Sequence, residues 1–180
     1  MKKIICTLWM AVCALCVMAQ ESKTVNLQLE TRIDYQREYL DGDAVKSNSG
    51  FKGKYLNVIL NGTINDHWSY SYRQRLNKAH ADQSFFDATD WIHLTYRLND
   101  NWSFNGGKQV VGIGGYEYDR APIDLYFCSE YWNNIPCYQL GVSATYTTNK
   151  GNDIFLAQVC ESPFNFNNED LYAYNLMWYG

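Results

Sequence analysis

Proline is scarce in this chain, three residues in 180, and histidine is equally rare at three. Basic residues number 15 against 19 acidic ones, a net charge of -4, and an acidic chain is a poor candidate for nucleic-acid binding. The uncharged run from Ile4 to Met18 has 15 residues, whereas a membrane-spanning helix needs roughly 20. No Gly-x-Ser-x-Gly nucleophile motif is present, and the cysteine spacings make neither a disulfide scaffold nor a zinc site. What the chain does have is apolar and aromatic surface: 47% hydrophobic residues, with 15 Tyr, 6 Trp and 8 Phe. That composition excludes a disordered or linker-type sequence, which lacks the apolar area to offset the entropy of ordering.

Residues 1–19 read as a cleaved signal peptide: Lys2 and Lys3, the uncharged run, then Val17-Met18-Ala19 before Gln20. The run is short for an uncleaved anchor, and neither Cys13 nor Cys16 follows a lipoprotein-box pattern. Processing removes two lysines and leaves 161 residues with 13 basic and 19 acidic side chains, net -6. It also removes Cys6, Cys13 and Cys16, so an exported chain keeps Cys128, Cys137 and Cys160. Three cysteines allow at most one bridge, such as Cys128–Cys137, and a spare thiol.

The mature chain alternates with period two. Between Val25 and Tyr39 the positions Asn26, Gln28, Glu30, Arg32, Asp34, Gln36 and Glu38 are polar, against Val25, Leu27, Leu29, Ile33 and Tyr35. Strict alternation marks a strand with two unlike faces. Residues 54–64, 68–77, 90–98 and 136–146 give the same reading, 102–110 alternates less clearly, and two further strands fit at 153–160, whose facing is ambiguous, and 171–179, so eight strands and no helix are predicted. The connections alternate too. Asn65-Asp66-His67, Asn99-Asp100-Asn101 and Thr148–Asn152 are tight turns, while the links at about 40–50, 78–89, 111–134 and 161–170 are long. Short turns at one end and long loops at the other describe an up-and-down transmembrane β-barrel, all-β and antiparallel.

Two hairpins share wording, Ile64-Asn65-Asp66-His67-Trp68-Ser69-Tyr70 and Leu98-Asn99-Asp100-Asn101-Trp102-Ser103-Phe104. Trp68 and Trp102 follow their turns immediately, where a membrane barrel carries an aromatic girdle. Tyr70, Tyr72, Phe104, Tyr138 and Tyr146 extend it. A soluble β-sandwich is the competing architecture, with the polar face in water and the apolar face in a core. Strand length, end asymmetry and the export signal favour the barrel.

The Asn-Asp-x-Trp-Ser hairpins, the stretch Gly106-Gly107-Lys108-Gln109-Val110 before a long loop, and the return strand Tyr138–Tyr146 resemble the amino-terminal half of a Gram-negative outer-membrane porin of the phosphate-selective porin O and P family. The resemblance spans nearly all of residues 25–180. It implies passive diffusion of small hydrophilic solutes through a homotrimer in the outer membrane, with the third loop narrowing each pore and no cofactor or metal. The third long link, 111–134, carries Glu117, Asp119, Arg120, Asp124 and Glu130 among Gly, Tyr and Phe. That composition suits a constriction loop and an ordinary surface loop alike.

Arg32, Arg73, Arg75, His93 and Arg97 fall on the predicted interior face. Cations lining a pore bias it toward anions; the same arginines also suit a polar lumen in which they pair with Glu30 and Asp34. Lys52 and Lys54 are predicted to point outward near the loop end, and the lysine cluster that the family uses for phosphate has no placement here. Two other functions compete: a complete eight-stranded barrel with a structural, binding or lipid-modifying role, and a secreted sugar-binding sandwich. An enzyme is not expected, since His67 reads as a turn residue, His80 as a loop residue and His93 as a structural one. An eight-stranded barrel is filled by its own side chains, and an open pore needs about sixteen strands. Residues 20–180 are therefore expected to form part of a larger barrel, truncated at its carboxyl end.

Overall fold

The computed structural model describes residues 25–78, 84–113, 117, 120, 124–125, 128–165 and 170–180; the expected signal peptide, His80 and Asp119 lie outside them. Eight strands follow in chain order: β1 (Asn26–Leu40), β2 (Asp43–Thr63), β3 (Trp68–Arg75), β4 (Thr89–Arg97), β5 (Trp102–Val110), β6 (Tyr138–Thr147), β7 (Ile154–Glu161) and β8 (Tyr172–Tyr179). Each pairs antiparallel with its chain neighbours in one sheet, β1 to β8 in order. This is the up-and-down meander of a barrel wall, open here along β1 and β8.

Side-chain burial is inverted relative to a soluble sheet. One face carries Leu27, Ile33, Phe51, Tyr174 and Leu176, the last 87% exposed; the other carries Asn57, Arg73, Ser143 and Gln158, all under 6% exposed. The cross-strand pairs explain the sorting. Leu27–Leu60, Leu60–Tyr72 and Tyr72–Ile92 lie directly opposite one another, as do Asn61–Ser71, Ser71–His93, His93–Gly107 and Gly107–Gly141 on the reverse side. A polar interior and an apolar exterior fit a sheet with lipid outside it.

The repeated hairpins have one conformation. Asn65 Oδ1 accepts the N–H groups of His67 and Trp68, both at 2.9 Å, and Asn99 Oδ1 accepts those of Asn101 and Trp102 at 3.0 and 2.8 Å. Each Asx turn delivers its indole to the apolar face, where Trp68 meets Tyr96 and Trp102 meets Tyr146 with ring centroids 4.9 Å apart. Trp178 joins the same end of the sheet, its Nε1 donating to Asp153 Oδ1 at 3.0 Å.

Three local expectations are corrected. The 40–50 link is not a loop: β1 and β2 continue through it and turn at Asp41-Gly42, whose φ values of 51° and 92° are those of a two-residue hairpin turn. Lys52 and Lys54 do not point outward. A register shift pairs Arg32 with Tyr55 but Ile33 with Gly53, so Lys54 is an extra residue. Phe51 and Lys52 beyond it therefore change face, and Lys52 stands opposite Asp34 on the polar side. Finally, a short helix α1 (Glu130–Asn134) lies in the third loop.

At the loop end of the apolar face, the segment Ser84–Ala88 folds over the wall. It buries Gln74, Thr89 and Lys108, and Lys108 Nζ donates to the Phe86 carbonyl at 3.0 Å. These polar groups mark where the apolar band stops.

On the polar face, Gly107 and Gly141 sit where adjoining strands come too close for a side chain. Gly107 has φ +134°, and a Cβ there meets the Ile92 carbonyl; at neighbouring Gly106 a Cβ meets nothing within 4 Å. Gly107→Ala is expected to destabilise the folded sheet by about 1–3 kcal/mol and Gly106→Ala to leave it nearly unchanged. Urea unfolding in detergent micelles, followed by loss of the heat-modifiable folded band, measures both; equal midpoints for the two variants would contradict the tight approach.

Candidate functional site

The polar face gathers its charge at the loop end, on β1 to β4. Arg32 grips Asp34 bidentately, Nε to Oδ1 at 2.9 Å and Nη2 to Oδ2 at 2.8 Å. Arg73 and Arg75 stand two residues apart on β3, so both project to the polar side. Arg75 Nε donates to Asp90 Oδ2 at 2.7 Å, and Arg73 Nε lies 2.7 Å from the same oxygen, off the hydrogen-bond axis. Two buried guanidiniums thus share one carboxylate oxygen.

Asp90 reaches that position through a second register shift. Arg73 pairs with Trp91 but Gln74 with Thr89, which leaves Asp90 as the extra residue of β4 and turns it from the apolar to the polar side. Simple alternation assigns Asp90 to the face of Ile92 and Leu94, so period-two counting misses it. Aromatic rings complete the cluster. The Arg73 guanidinium lies 4.5 Å from the centroid of Trp91, and that of Arg75 lies 5.4 Å from Trp132 and 5.9 Å from Tyr138. These are cation–π distances. Tyr138 therefore belongs with the arginines rather than the outer girdle: it opens β6, where the chain leaves the loop, and its ring packs on Trp91 and Trp132.

The described residues of the third long loop contact this face. Its two ends leave the sheet together, Val111 N–H donating to Cys137 O at 2.9 Å. Gln158, on the polar side of β7, accepts from Gly112 N–H at 2.7 Å and donates to Val110 O at 2.8 Å. On the far side, Arg32 Nη1 donates to Leu125 O at 2.8 Å and the Tyr55 hydroxyl meets Cys128 Sγ at 3.7 Å. The loop so touches β1, β2, β3 and β7 from the polar side. Ser129 caps α1 by accepting from Trp132 N–H at 3.1 Å, and Glu117 binds the Ser129 backbone N–H at 3.0 Å and its hydroxyl. Glu117 is thereby a loop staple, while Arg120 and Asp124 are exposed in the same segment.

The other predicted site residues stand apart from the cluster. His93 is half-buried on the polar face between Ser71 and Gly107, its Nδ1 without a hydrogen-bond partner among the described residues. Arg97 is exposed at the short-turn end, where its backbone N–H donates to His67 O at 2.7 Å. Glu30 accepts from Asn57 Nδ2 at 3.3 Å rather than holding an arginine. Cys128, Cys137 and Cys160 are all free thiols, so the bridge the sequence allowed between the first two is not formed.

An antiparallel meander with an apolar exterior, a polar arginine-bearing interior and a long loop folded onto that interior defines a transmembrane barrel wall of the porin class. Residues 25–179 match the family described as phosphate-selective porin O and P, and the chain belongs to that family of outer-membrane porins. No match was found among curated proteins or among solved structures.

Asp90 is the compensating charge for two buried cations. Its replacement by Asn leaves them facing one another, and loss of one partner of a buried ion pair costs about 3–5 kcal/mol. Asp90→Asn is expected to lower the urea midpoint accordingly, well beyond the effect of Asn57→Ala on the same face. A wild-type midpoint for Asp90→Asn would show that the carboxylate does not hold the arginines.

Proposed function

We propose that the chain forms the wall of an outer-membrane channel through which small hydrophilic solutes diffuse passively, with anions favoured over cations. The observation that carries the preference is the charge imbalance beneath the loop. Arg73 and Arg75 share one carboxylate, and Lys52 and Lys54 add to the same face. Away from bulk water such an excess is poorly screened, so it attracts anions and repels cations.

Arg32, Arg73, Arg75, His93 and Arg97 line the pore in this reading. The 111–134 segment, with Glu117, Arg120 and Asp124, narrows it, because its contacts run to the polar face from β7 round to β1. A loop of that size does not fit the filled interior of an eight-stranded barrel. The two open sheet edges are accordingly closed by further strands, to a ring of about sixteen. Residues 1–19 direct export, Trp68 and Trp102 sit at the lipid boundary, and the functional unit is a trimer.

A planar bilayer holding the protein in a potassium chloride gradient measures the preference. The reversal potential is expected to have the sign set by chloride, and Lys54→Glu to shift it toward the potassium side. A potential of the sign set by potassium in the unsubstituted protein would contradict anion preference, and absence of conductance would contradict the channel.

A further inference from the structure

Beside α1 the polar face opens into a cavity of about 340 Å³, walled by Arg32, Asp34, Lys54 and Tyr55 among others from the strands and by Cys128, Trp132 and Asn133 from the loop. Its charges are unevenly satisfied. Arg32 is neutralised by Asp34, and Arg75 shares Asp90 with Arg73. Lys54 is the residue that the β2 register shift pushes out of the ladder, and its ammonium makes no hydrogen bond or ion pair among the described residues. The cavity thus combines a cation with no direct partner among the described residues, the Asp34 carboxylate that Arg32 holds, two aromatic rings brought from opposite sides, and the amides of Gln36 and Asn133.

Each simple class of solute leaves part of this lining unused. A bare inorganic anion pairs with Lys54 and contacts neither ring. A neutral sugar packs on the rings and amides and leaves the ammonium unpaired. The volume is at the lower end of small-molecule sites, about 300–1,000 Å³, and so takes one sugar ring rather than an oligomer.

We propose that this cavity, within the channel reading above on which it rests, is a binding site for a monosaccharide bearing one anionic group, carboxylate or phosphate. Lys54 takes the anionic group in a charge-assisted hydrogen bond, the apolar face of the sugar ring lies against Tyr55 and Trp132, and the amides serve its hydroxyls. The loop supplies Cys128, Trp132 and Asn133, one of the two rings among them, so the site exists only while α1 stays pinned to the wall by Arg75.

Tryptophan fluorescence of the detergent-solubilised full-length protein, titrated with glucuronate, glucose 6-phosphate, glucose and inorganic phosphate, tests the assignment without requiring conductance. Saturable change is expected with one or both acidic sugars at concentrations at least about tenfold below those needed for glucose or phosphate, a gap of about 1.4 kcal/mol. The stronger of the two identifies the anionic group. Lys54→Gln should weaken the acidic sugars about tenfold and leave glucose unchanged, and Lys54→Arg should restore most of the loss, the heat-modifiable band showing that both variants fold. Equal binding of phosphate, equal binding of glucose, or indifference to Lys54→Gln would each overturn the site. Acidic-sugar binding by a protein that does not conduct removes the channel reading and keeps the site; conductance without such binding does the reverse.

Discussion

One carboxylate oxygen, Asp90 Oδ2, lies between two buried guanidiniums, and the polar side of the sheet is arranged around that contact. Unpaired, Arg73 and Arg75 would repel each other in a place where water screens poorly. Paired, they offer flat cationic faces on which rings can settle. Trp91 takes one from the wall; Trp132 and Tyr138 take the other from the loop and its exit. The loop helix is therefore held to β3 by the same charge that completes the cluster. Gln158 and Arg32 fasten Gly112 and Leu125 of the loop to the two sides of the sheet.

The opposite face obeys a different solvent. In a bilayer no water is present to satisfy a backbone amide, so each strand must bond to its neighbours along its length. An antiparallel meander does this with the shortest connections. The Asx turns at Asn65 and Asn99 use one side-chain oxygen to occupy two backbone donors, and in doing so set the indoles that follow at the edge of the apolar band. At the other end the band stops at Gln74, Thr89 and Lys108, which are covered by Ser84–Ala88 because lipid offers them no partners.

The eight strands are legible in the sequence because alternation is a local property, repeated often enough to outweigh its weakness in any one segment. The inversion of the faces is legible less directly, from strand length and the two unlike ends. Register shifts are not legible. One extra residue at Lys54 and another at Asp90 reverse the side to which neighbouring residues point, and nothing in the adjoining residues announces either. Asp90 of the cluster and Lys54 of the cavity are thus both hidden from period-two counting. Asp41-Gly42 is a different case: the pair is a strong hairpin signal, legible once the flanking residues are allowed to be strand. The five residues of α1 are too few to show a helical period, and the composition of 111–134 suits either side of the wall. Contacts with Gln158, Arg32, Tyr55 and Arg75 are what place its described residues on the polar side.

The central claim is that this sheet turns its apolar side to lipid and its polar side to an aqueous interior. Spin labels placed singly at positions 173 to 178 of β8, in protein reconstituted into lipid vesicles, test it through collision with oxygen, which partitions into lipid, and with a water-soluble nickel chelate. Labels replacing Tyr174, Leu176 and Trp178 should respond to oxygen, and those replacing Ala173, Asn175 and Met177 to nickel. Uniform accessibility to nickel, or the opposite alternation, would contradict a membrane wall and return the sheet to a water-soluble sandwich.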